Sequence, residues 1–115
     1  MAEPSRKRAS TAEKRAAILA AARTVFETEG LEGASLRGIA AKAGYTPAAL
    51  YFHFESKEAL YGELLHETLA NCLETVTAAV DGVDDPAARA RAAAMAVFGY
   101  YADNPRDLDL GFYLF

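Results

Sequence analysis

The chain contains a single cysteine, Cys72. No internal disulfide can form, and that usage suits a reducing compartment. No apolar run approaches the ~20 residues that a membrane span needs. The basic start, MAEPSRKRAS, has no apolar segment behind it and is not a secretory signal. A cytoplasmic location without membrane association is the resulting expectation. Prolines are sparse at four, and strand-like alternation is missing throughout. There is no Gly-rich phosphate loop, no nucleophile elbow and no HExxH pair. His66 and Cys72 stand six residues apart, which does not put them on one helix face as metal ligands. The acidic residues Asp81, Asp84 and Asp85 lack the alternation of a calcium loop. The expectation is therefore no enzyme, no metal and no cofactor.

The 115 residues suit one domain, or one small domain plus part of another, and the alanine-rich composition favours helices. Net charge is −4, unevenly spread. Residues 1–60 carry nine Lys/Arg and seven acids, whereas residues 61–115 carry three Arg and nine acids. A balance of +2 in the first part faces one of −6 in the second. That asymmetry points weakly to an anionic partner for the first part.

The punctuation predicts six helices and an all-α fold. Residues 1–9 read as a disordered basic arm with Arg6, Lys7 and Arg8. Ser10 and Glu13 have capping-box spacing, Ile18, Ala22, Val25 and Phe26 share a face, and Gly30 offers a left-handed stop. Ser35 caps a second helix with Leu36, Ile39, Ala40 and Ala43 on one side, closed by Gly44. Thr46 and Pro47 start a third helix reaching Phe54. Ser56 caps a fourth of about 24 residues, with an apolar stripe through Tyr61, Leu65, Leu69, Cys72, Leu73, Val76 and Val80. Asp85-Pro86 opens a fifth, with Ala88, Ala92, Met95 and Gly99 on one face. Asn104-Pro105 repeats that start for a sixth. The final LDLGFYLF is an apolar ending, read here as the front part of a longer protein.

The second and third helices with Gly44 between them have the outline of a helix-turn-helix. Leu50 and Phe54 would face the core. Thr46, Pro47, Ala48, Tyr51, Phe52 and His53 would face outward. Small residues at the start of such a helix allow close approach to base edges, and Tyr, His and Lys supply donors for phosphate oxygens. Burial competes with this reading for Tyr51 and more evenly for Phe52. An exposed solvated side chain is the bland reading for Lys57 and Arg37.

The strings ILAAARTVFETEG, SLRGIAAKAG and above all LYFHFESKEAL resemble the N-terminal DNA-binding domain of the TetR/AcrR family of bacterial transcription regulators. The resemblance covers residues of about 10–65. It implies a helix-turn-helix domain over 10–56, followed over 57–115 by a long linking helix and part of a ligand-binding and dimerisation domain. It implies phosphate contacts from Tyr51, His53 and Lys57, and a base or phosphate contact from Arg37. Thr46, Pro47, Ala48 and Ala49 match the variable base-facing positions, here small and weakly polar. The implied function is a repressor, controlled by a small-molecule effector, that binds a palindromic double-stranded DNA operator as a homodimer. Met95, Phe98, Tyr101 and Phe112 are candidates for a near wall of the effector pocket, which core packing would explain equally well. The competing class is a small helical ligand-binding or protein-interaction module without DNA binding.

Overall fold

A computed structural model describes residues 10–112 of the chain. Those residues form six helices in order: α1 (Thr11–Gly33), α2 (Leu36–Ala43), α3 (Pro47–His53), α4 (Lys57–Val80), α5 (Pro86–Asp103) and α6 (Pro105–Phe112). The basic arm with Arg6, Lys7 and Arg8 lies outside the described residues. The chain divides into two compact units, one ending at Tyr61 and one beginning at Gly62.

In the first unit, local chemistry places every helix end. Ser10 and Glu13 close the capping box, with Ser10 N–H donating to Glu13 Oε1 at 2.8 Å and Glu13 N–H to Ser10 Oγ at 3.1 Å. Gly30 interrupts α1 with φ 73° and ψ 172°, an extended mirror conformation rather than the expected left-handed helical one. A last turn, 31–33, follows the kink. Ser35 Oγ accepts from Gly38 N–H at 3.0 Å and starts α2. Gly44, at φ 84° and ψ 25°, ends it in the left-handed conformation. Thr46 Oγ1 accepts from Ala49 N–H at 3.1 Å, and Pro47 occupies the first turn of α3. The helix stops one residue earlier than expected, because Phe54 is extended and donates its N–H back to Leu50 O.

One apolar core results. α1 supplies Ile18, Ala21, Ala22, Val25 and Phe26, α2 supplies Leu36, Ile39 and Ala40, and α3 supplies Leu50. Phe54 and the first turn of α4, with Leu60 and Tyr61, complete it. Tyr61 meets Phe26 edge to face, centroids 5.2 Å apart. Burying Leu50 alone is worth roughly 1.5–3 kcal/mol, which a seven-residue helix could not gain from propensity.

In the second unit α4 buries Leu64, Thr68, Cys72 and Val80, with Val76 half-buried. These recur every four residues. The expected stripe is corrected: Leu69 and Leu73 are exposed, at 56% and 66%. Both series are apolar, and packing partners rather than hydropathy choose between neighbouring faces. The Thr68 hydroxyl donates to Leu65 O at 2.9 Å, which satisfies it inside. α5 departs from expectation likewise. Ala88, Ala92 and Ala96 lead to buried Tyr100 at four-residue spacing, leaving Met95 and Gly99 outside. Tyr100 donates its hydroxyl to Asp107 of α6. Burial and that carboxylate push the Tyr100 phenol up to about 12. The Asn104 side-chain amide donates back to Tyr100 O at 2.9 Å and closes α5, while its carbonyl accepts from Asp107 N–H at 3.0 Å where α6 begins.

Candidate nucleic-acid interface

α3 presents two faces. Leu50 and Phe54 are fully buried beneath it. On the other side Thr46, Ala48, Tyr51 and Phe52 are exposed, while Pro47, Ala49 and His53 are half-buried. Tyr51 is 57% and Phe52 79% exposed. The even choice between core and surface for Phe52 is thus decided for the surface. Tyr51 and Phe52 stand next to each other as exposed aromatics, and contiguous exposed apolar surface, unlike a single ring, marks a contact site. α3 itself carries no acidic residue.

Thr46 has already committed an oxygen lone pair to the Ala49 amide. Its hydroxyl proton stays available to an external acceptor. His53 sits edge-on to Phe52, ring centroids 5.1 Å apart, and its backbone carbonyl accepts from Arg15 Nη1 at 3.2 Å. Arg37 is exposed in the first turn of α2.

Lys57 has a structural role that the sequence alone did not suggest. It is half-buried, and its ammonium donates to Glu32 O at 3.1 Å and Ala34 O at 3.0 Å. These carbonyls lie at the end of α1, where a cation is favourable. The mismatch of a lysine at the start of α4 is compensated there. Two of its three protons are engaged.

A cleft of about 230 Å³ opens between the start of α1 and α3. Thr11, Lys14, Tyr45 and His53 are its polar lining, with Ile18, Ala49 and Phe52 as apolar walls. Every polar group there can donate a hydrogen bond, and none is a carboxylate. Thr11, Lys14 and Tyr45 were not singled out from the sequence. Only the folded α1 brings the first two beside α3.

Most of the candidates for an effector pocket are open to solvent. Met95, Phe98 and Phe112 are 65%, 73% and 61% exposed, and Tyr101 is half-buried beside Cys72. A second, open concavity lies along α4 at Ala70, Leu73, Glu74 and Thr77 and includes none of these four.

Residues 18–64 match the family model described as bacterial regulatory proteins, tetR family. The chain is 43% identical over 60 residues to the HTH-type transcriptional repressor BepR of Brucella suis, covering 52% of this chain and 29% of that protein. It is 36% identical over 88 residues to the HTH-type transcriptional activator FasR of Mycolicibacterium smegmatis, covering 76% and 40%. The crystal structure of a tetR family transcription regulator from Shewanella sp. PV-4 superposes with a TM-score of 0.78 at 29% identity. That match takes in 89% of this chain and 54% of the other, so the chain spans about half of that protein.

Proposed function

The chain belongs to the tetR family of bacterial regulatory proteins, and on that premise we propose that it regulates transcription by laying α3 in the major groove of double-stranded DNA. The observation that carries the reading is the open face of α3, aromatic at its end and small at its start, with no acid to repel phosphate. Tyr51 and His53 donate to backbone phosphates, and Lys57 uses its remaining proton at the edge. Lys14 and Tyr45, in the cleft beside α3, extend the row of donors. Thr46, Pro47, Ala48 and Ala49 approach the base edges, where methyl contacts are the chief readout open to them. Phe52 packs against sugar or a thymine methyl. Arg37 supplies a longer reach to base or phosphate. With so few readers on α3, DNA shape carries much of the selectivity.

The operator is palindromic in this reading. A homodimer sets its two α3 helices in successive major grooves, ~34 Å apart. Transcription is repressed, as in the case of the Brucella repressor, and a small-molecule effector relieves it; the Mycolicibacterium relative is an activator, and either sign needs the same grip on DNA.

The test is fluorescence anisotropy of the intact protein with a labelled duplex selected from a random pool, and with an unselected duplex, across salt. A steep fall of log K with log salt is expected, about 0.9 per phosphate contact. A flat response with both duplexes would sink the reading.

A further inference from the structure

Arg15 belongs to α1, yet it holds the far end of α3. Its Nη1 donates to the carbonyl of His53, the last residue of α3, at 3.2 Å. Its Cζ stands 4.4 Å above the centre of the Phe54 ring. One planar group therefore grips both the last helical carbonyl and the first residue beyond it. That carbonyl is among those a helix leaves without an internal partner, and a cation is favoured there. The aromatic face attracts the same cation. Lysine could not serve both contacts with one rigid plane.

α3 is seven residues long, and Leu50 is its single fully buried side chain. Such a helix has little to fix its direction by itself. Thr46 and Pro47 define its start, and Leu50 sets one point of contact beneath it. A second point is needed to fix the axis, and Arg15 provides it at the opposite end.

We infer that Arg15 is a positioning residue for DNA recognition: through the His53 carbonyl and the Phe54 ring it sets the axis of α3, so that the small start of the helix and Tyr51 meet base edges and phosphates together. This rests on the DNA-binding reading above. Arg15 acts from behind the interface, with its charge directed at protein groups, and it touches neither base nor phosphate.

The experiment compares Arg15→Met, Arg15→Lys and Phe54→Leu in the intact protein. Each is titrated by anisotropy against the duplex selected by the wild type, at several salt concentrations. Arg15→Met is expected to lose about tenfold or more in affinity, the scale of one charge-assisted bond with its ring contact. The slope of log K against log salt should stay as in wild type, because no phosphate contact is removed. Arg15→Lys should recover part of the loss. Phe54→Leu should cost less in the Arg15→Met background than alone, since the two groups share one contact. Amide hydrogen exchange over residues 47–54 should quicken in Arg15→Met.

Unchanged affinity would overturn the inference. So would a slope shallower by about 0.9 per protomer, which would make Arg15 a phosphate contact itself. If Arg15→Met does not fold, the other two variants decide: both must lose affinity at constant slope, and wild-type binding by either overturns the proposal. If the wild type binds no duplex, the DNA-binding reading fails separately. Exchange over α3 then still judges the grip of Arg15, and equal rates in wild type and variant would overturn it.

Discussion

Replacing Lys57 by methionine keeps the apolar stem and removes the ammonium that bridges Glu32 O and Ala34 O. Each bond is charge-assisted, at 3.1 and 3.0 Å. Buried bonds of that type are worth about 1.5–3 kcal/mol. One of these is exposed and the other only partly buried, so water can take over the carbonyls when the ammonium is gone. A net loss of about 1–2 kcal/mol is expected. For domains of this size that corresponds to a melting temperature lower by roughly 4–15 °C. Circular dichroism at the helix band measures it. Binding to DNA at a temperature where both proteins are folded then isolates the third proton. If it reaches a phosphate, the salt slope falls by about 0.9 per protomer. A melting temperature within about 1 °C of wild type would refute the carbonyl clamp, since no partial hydration of two such bonds brings 1–2 kcal/mol that near zero.

Gly44→Ala should cost about 1–2 kcal/mol in a urea titration, from the left-handed backbone alone, because no atom lies within 4 Å of the added Cβ; Gly44→Asn should cost less. Arg37→Ala should leave stability within about 0.5 kcal/mol, as an exposed site does, and should change the sequences recovered from a random duplex pool; an unchanged pool would make it a phosphate contact. Tyr100→Phe should be less stable at pH 7 through loss of the Asp107 bond. The folded phenol titrates at about 12 against 10.0 in the unfolded chain, so its contribution is complete below pH 10 and lost as pH rises from 10 to 12. Melting temperature should therefore fall over that window in wild type and fall less in Tyr100→Phe.

The elements that were legible in the sequence are those decided within a few residues. Ser10, Ser35, Thr46 and Asp85 each accept from an amide three residues on, so spacing alone reveals them. The two-sided character of α3 was also readable, because a helix so short can bury only one side. Misjudgements came where a partner decides. Leu69 and Leu73 are as apolar as the residues that α4 buries, and Met95 is larger than the alanines that α5 turns inward. Nothing local marks which of two adjacent apolar faces a neighbour will cover. Arg15 and Lys57 were illegible for a related reason. Their hydrogen bonds described above reach 38 residues away in one case, and 25 and 23 in the other, to backbone carbonyls that carry no residue identity. The cleft beside α3 has the same origin, since Lys14 and Tyr45 meet only after folding.

The small residues at the start of α3 bear on how such a protein changes over time. Thr46, Pro47, Ala48 and Ala49 have almost no rotamers to freeze, so docking there costs little side-chain entropy. Their burial and bonding obligations are met by the cap, the ring and the backbone. Ala48 is exposed and holds nothing in place. In the docking proposed above, a glutamine or arginine installed at that position would add a base reader while leaving Leu50, Phe54 and the Thr46 cap untouched. The helix is in that respect a nearly blank address: under the proposed docking, a single residue change there redirects the protein to a different DNA sequence without first destabilising it.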